Sequence, residues 1–188
     1  NWTEALQQFS ESNEIQSKLE YWENVISSNE NNLNFEKPLI KNTHEVEFKL
    51  QNDTIDLLLS KANTTYNTKV QDLLLTAFSR TYAKIFNENT ILIDLESHGR
   101  EFVQGMDINR TVGWFTTIYP FRLVASTDIS ADIVTNKDNL NRVPQNGFSF
   151  LLLKQMTDSS DLIRNYNGKI LFNYLGEVDS GLNFEGVK

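Results

Sequence analysis

The chain has 188 residues and carries 17 basic against 25 acidic side chains, a net charge of -8, which argues against a general nucleic-acid binder because that needs a basic face. It contains no cysteine, so disulfides, thiolate metal sites and cysteine nucleophiles are excluded. No run approaches the roughly 18 apolar residues needed to span a bilayer and no basic-then-apolar secretory segment opens the chain, so a cytoplasmic home without membrane contact is expected.

With 12 Phe, 6 Tyr and 3 Trp, a packed core is available to a single domain. Trp2 to Glu11 and Glu14 to Ile26 read as two amphipathic helices. Trp2, Leu6 and Phe9 share one face of the first; Ile15, Leu19, Trp22 and Ile26 share one face of the second. Ser12 or Asn13 is placed to cap the second. The first begins without a cap or lead-in, which reads as an internal cut in a longer polypeptide. Ser27 to Asn34 is polar and Asn-rich, hence a loop.

His44 to Leu50 alternates, with Val46, Phe48 and Leu50 against Glu45, Glu47 and Lys49, which predicts a half-exposed strand. Asn52 or Asp53 caps a helix through about Lys61. Thr68 to Phe86 carries a wide apolar stripe of Val70, Leu73, Leu74, Ala77, Phe78, Tyr82 and Phe86, the longest helical pattern.

From Thr90 the pattern changes to strand. Ile91, Ile93 and Leu95 alternate with Leu92, Asp94 and Glu96, so one face is apolar and the other turns acidic. Extending the alternation puts His98 beside Asp94 and Glu96 where the strand meets Gly99. Strand ends favour sites, because the sheet holds the backbone while side chains reach open space. Thr111 to Leu123, aromatic and β-branched, predicts a second strand nearby. Ile129 to Leu140 reads as a helix ended by Arg142-Val143-Pro144. Gly147 to Leu153 is a turn followed by an apolar helix or strand, and periodicity does not decide which. Asp158 to Gly168 is polar, and Lys169 to Leu175 reads as a buried strand, with Ile170, Phe172 and Tyr174 on one face and Leu171, Asn173 and Leu175 on the other.

Four segments resemble motifs of one family. Glu96-Ser97-His98-Gly99-Arg100-Glu101 is followed by Arg110-Thr111-Val112-Gly113-Trp114-Phe115-Thr116-Thr117-Ile118-Tyr119-Pro120. Asp72 to Ala77 precedes them and Phe172-Asn173-Tyr174-Leu175-Gly176 comes last. In this order and spacing they resemble the epimerization domains of nonribosomal peptide synthetases, relatives of the condensation domains. The resemblance spans residues 1–188 but only the C-terminal half of a family domain. It implies an α/β chloramphenicol-acetyltransferase-like lobe, a two-layer sandwich with a mixed sheet and helices packed on one side.

The implied reaction is inversion at the α-carbon of an aminoacyl or peptidyl thioester, carried on the phosphopantetheine arm of a peptidyl carrier domain. No cofactor is bound directly and no metal is expected. A thioester acidifies the α C–H, so acid–base groups must flank the carbon on both faces. The resemblance implies Glu96 as one of them and Tyr174 as a second site residue whose hydroxyl steers the enolate or the glutamate. On residue chemistry alone, Glu96 is a strand-end carboxylate paired with Arg100, and Tyr174 a buried aromatic. His98 and Arg100 are expected to fix the loop, Asp94 to be a partner to the site or capped by backbone, and Trp114 to be core or channel wall; Asn173 points away from Tyr174.

The family's general-base histidine belongs to a His-His-x-x-x-Asp-Gly motif in the N-terminal half. This chain has only His44 and His98. The chain alone is therefore expected not to racemise a thioester, to need that half as partner, and to self-associate if isolated. Three stretches depart from the family pattern: Ser97 replaces a Gly, Ser149-Phe150-Leu151 stands where the tail of a Gly-rich turn is expected, and Glu177-Val178 follows Gly176. Alternative readings are an amide-forming condensation-type domain and a non-catalytic carrier-docking module.

Overall fold

A computed structural model describes residues 2–27, 43–100 and 107–176. Helix α1 (Trp2–Ser10) leads into α2 (Asn13–Gln16) and α3 (Leu19–Ser27). The single helix expected over Glu14 to Ile26 is thus two. At the break the Lys18 N–H bonds the Ile15 carbonyl at 2.9 Å, a tight turn that keeps the apolar phase. Ile15, Trp22 and Ile26 consequently enter the same core. Ser12 is the cap, its hydroxyl accepting from the Ile15 N–H.

Residues 43–50 form no strand, contrary to the alternation, and Val46 and Phe48 are 87 % and 80 % exposed. Period two says which side chains share a face but supplies no partner strand, and none among the described residues pairs here. Helix α4 (Asn52–Leu57), a π-helical turn (Leu58–Ala62) and α5 (Asn63–Tyr66) follow, running past the expected end at Lys61. The N-cap is Gln51, so Asn52 and Asp53 lie in the first turn instead of capping it. Helix α6 (Val70–Phe86) starts where the Asp72 carboxylate accepts the Lys69 N–H at 2.8 Å, and stops at Asn87, left-handed at φ 57°.

Strands β1 (Thr90–Ser97) and β2 (Thr117–Val124) are antiparallel, pairing Ile91 with Leu123, Ile93 with Phe121 and Leu95 with Tyr119. The expected strand from Thr111 is shorter: residues 111–116 are irregular. Helix α7 (Ile129–Asn141), a 3-10 turn (Pro144–Gly147), α8 (Phe148–Met156) and α9 (Asp161–Arg164) come next. Strand β3 (Leu171–Phe172) then lies parallel to β1, giving the mixed order β2-β1-β3 among the described residues. The seven-residue buried strand expected over Lys169 to Leu175 is thus two paired residues, and Leu171 and Leu175 are exposed.

Pro120 sits in β2 without breaking the ladder. The Ala125 N–H to Asn89 carbonyl bond, 2.8 Å, makes the odd-numbered positions of β2 the ones that bond β1. The nitrogen of Pro120 faces outward, where that ladder needs no donor. Four residues along the same edge, beyond Arg122, the Asn136 amide of α7 takes both backbone groups of Val124, accepting from its N–H and donating to its carbonyl at 3.0 Å each.

The core joins β1 and β2 to α3, α6 and α8 through Trp22, Leu75, Ile93, Leu95, Phe121 and Phe150. Each such side chain contributes about 1.5–3 kcal/mol by leaving water. Trp22, wholly buried, packs on Tyr119 and Phe150 and donates its indole N–H to the Ser149 hydroxyl at 3.0 Å.

Candidate active site

The parallel register sets Asp94 beside Leu171 and Leu95 beside Phe172. One residue further on, the same alignment sets Glu96 beside Asn173. There the Asn173 Nδ2 donates to Glu96 Oε2 at 2.6 Å, joining two expected site residues from opposite ends of the sheet segment. The partner of Glu96 is therefore Asn173 and not Arg100. Tyr174 lies past the end of β3, half-buried in irregular backbone, not on an inward-facing strand as expected.

Glu96, Ser97 and His98 form one wall of a cleft of about 480 Å³; Lys69 and Asp72, at the start of α6, form another. The Ser97 hydroxyl donates to the Asn146 carbonyl at 2.8 Å, so this departure from the family glycine ties the end of β1 to the turn before α8. In that turn Gln145, Asn146 and Gly147 are all left-handed, at φ 47°, 49° and 86°. Gly147 is required twice over, by its φ and because a Cβ there would meet the Tyr119 ring at 2.0 Å. Tyr119 also lines the cleft; burial, then neighbouring Tyr21, pushes its phenol up to about 12.

The segment after β1 is tied down by polar bonds. His98 Nδ1 accepts the Arg100 N–H at 2.9 Å. Arg100 Nη1 donates to the Ile108 and Thr111 carbonyls at 2.6 and 2.9 Å, and its guanidinium lies 4.3 Å from the centre of the Phe115 ring. Trp114, by contrast, is 91 % exposed, so it is not core. Glu101, Glu177 and Val178 lie outside the described residues.

Asp94 does not open into the cleft of Glu96 and His98. It lines a separate cleft of about 290 Å³ with Lys154, Tyr166 and Gly168. The Tyr166 hydroxyl donates to Asp94 Oδ1 at 2.8 Å. Burial raises the Asp94 pKa, against the lowering effects of the Tyr166 hydrogen bond and the Lys154 charge. Tyr166 and Lys154 had no signal in the sequence: one lies in a stretch read as merely polar, the other on a helix that periodicity did not assign.

Ser149, Phe150 and Leu151 prove to be helical, not part of a turn. Their non-glycine side chains suit that conformation. Ser149 accepts from Trp22 and bonds the Pro144 carbonyl, while Phe150 packs between Trp22 and Tyr166.

Comparison with known proteins decides the family, since residues 1–181 match the family described as Condensation domain. The chain belongs to the condensation-domain family. Bacitracin synthase 3 of Bacillus licheniformis is 34 % identical to this condensation-type domain over 188 residues; the match takes in 95 % of the chain but 3 % of that much longer protein. It superposes on the epimerization domain from the third module of tyrocidine synthetase B with a TM-score of 0.78 and 30 % identity, over 95 % of this chain and 43 % of that one. The first condensation domain of the CDA synthetase matches with a TM-score of 0.57 at 11 % identity, over 89 % of this chain and 36 % of that one, a likeness of fold alone. The chloramphenicol-acetyltransferase-like α/β fold expected from the motifs is the one observed.

Proposed function

We propose that this condensation-type domain is the C-terminal lobe of an epimerization domain, in which Glu96 is one of two acid–base groups that invert a carrier-bound aminoacyl or peptidyl thioester. The observation that carries the reading is the Glu96–Asn173 hydrogen bond. It unites the Glu96–Arg100 and Phe172–Gly176 motif segments on the rim of a polar cleft. The likeness to a solved epimerization domain supports it.

In this reading the α C–H bond breaks toward one flank and its electron pair moves into the thioester carbonyl, giving an enolate. A proton returned to the opposite face completes the inversion, with no net gain or loss of atoms. Glu96 serves one face. The second group, the histidine that the family resemblance implies, belongs to the N-terminal half. Asn173 fixes the direction of the Glu96 carboxylate, and Tyr174, next in the chain, is the second site residue of this reading. The partners required are that half and a peptidyl carrier domain, in the cytoplasm. The chain alone should not turn over.

The test is Glu96→Gln in the intact synthetase. Chiral analysis of the released aminoacyl group should show the L form retained while carrier loading persists. Undiminished inversion would overturn the assignment.

A further inference from the structure

Strand β3 meets β1 through only two paired residues, so its own ladder fixes register weakly. Register nevertheless decides what Glu96 faces. A slip of one residue would bring Phe172 or Tyr174 to the place of Asn173. A slip of two would bring Leu171 or Leu175. Three of these four side chains have no donor to offer the carboxylate.

What holds the alignment lies just upstream. The Asp94 N–H bonds the Ile170 carbonyl at 2.7 Å. The Asp94 side chain holds the same segment through one oxygen and packs the other against it. Oδ1 receives the Tyr166 hydroxyl at 2.8 Å, and Oδ2 lies so close to Gly168 that a Cβ there would come within 1.6 Å of it. From α8, Lys154 Nζ donates to the Tyr166 carbonyl at 2.6 Å. Only Lys169 and Ile170 separate Gly168 from β3, so a slip must strain the Tyr166–Asp94 bond or the close packing of Gly168 on Asp94.

We propose that Asp94 and Tyr166 form a register lock, positioning residues that hold β3 in the one alignment that delivers Asn173 to Glu96. The importance of that alignment for turnover rests on the epimerization reading; the lock itself does not.

The absence of cysteine makes register directly readable by disulfide trapping in the full chain. Two variants are compared, Glu96→Cys with Asn173→Cys and Glu96→Cys with Tyr174→Cys, oxidised with glutathione disulfide and quantified by mass spectrometry. The first pair should close faster, since aligned parallel neighbours satisfy disulfide geometry. Adding Tyr166→Phe, which removes only the hydroxyl, should lower that preference about fivefold, the effect of one net hydrogen bond. Asp94→Asn, which keeps an acceptor for the hydroxyl, should retain most of the preference, whereas Asp94→Ala should lose it. A preference unchanged by both Tyr166→Phe and Asp94→Ala would overturn the lock, whatever the activity. In the intact synthetase Tyr166→Phe should lower kcat with KM for the loaded carrier unchanged. A shifted trapping ratio with full inversion activity would leave the lock standing and overturn the Glu96–Asn173 reaction site instead.

Discussion

Asn173 reaches Glu96 from 77 positions further along the chain, and its amide nitrogen comes to 2.6 Å from the carboxylate. A side-chain amide can direct a carboxylate without contributing charge of its own. Asn173→Leu should therefore leave the fold intact and misdirect Glu96, lowering inversion by about 10²-fold in the intact synthetase, the cost of roughly 1 Å of misplacement. Circular dichroism and chiral product analysis would check the two halves of that expectation. Full activity in a folded variant would remove Asn173 from the site.

Asp94 titrates above its ordinary value of 3.8, chiefly because it is buried. A raised folded-state pKa means that the ionised form is disfavoured by folding. That contribution to stability is complete below the ordinary value and is lost as pH rises through the folded one. Tyr166 and Lys154 are the titratable groups facing it. Relative to the wild type, Asp94→Asn should gain stability as pH rises from about 4 and then level off once Asp94 is fully ionised. Urea melts at a series of pH values would show this. A stability of Asp94→Asn that falls relative to the wild type with rising pH would contradict it.

Ser149 is the partner of the buried Trp22 indole. Ser149→Ala should cost about 1–3 kcal/mol, since the N–H is left unpaired in the core. Ser149→Gly should cost about 1 kcal/mol more, through the added freedom of glycine inside α8. Denaturant midpoints of the two variants would give both numbers.

Arg100 combines two carbonyl contacts with stacking on Phe115, a geometry suited to a planar guanidinium. Arg100→Lys keeps the charge but not the fork. The Thr111 amide, which bonds the Ile108 carbonyl, should exchange with deuterium about fivefold faster, as for one lost hydrogen bond. Unchanged exchange would show that the loop is held by other means.

The sequence was most informative where a pattern is local. The alternation through Ile91, Ile93 and Leu95 placed β1, and the stripe from Val70 to Phe86 placed α6. It misled where the same pattern needs a partner: Val46 and Phe48 alternate perfectly well yet meet no strand among the described residues. Glu96 was identified by motif, but its bond to Asn173 was not, because alternation within a strand fixes faces only relative to that strand. Which residue stands across from Glu96 is a matter of inter-strand alignment. The phenol of Tyr166, bound to Asp94 over 72 positions, is non-local in the same sense. Ser149 was legible as a departure from the family pattern, while its reason, the indole of Trp22, appeared only in three dimensions.

Pro120 and the Asn136 amide have a joint effect on assembly. One offers a visiting chain no hydrogen at that position, and the other already occupies the backbone groups of Val124, four residues further on. Strand recruitment on that flank is therefore hindered at two of its outward-facing positions, on either side of Arg122. Among the described residues, the flank beyond Leu171 and Phe172 carries no such pair of obstacles, which biases growth of the layer toward that side.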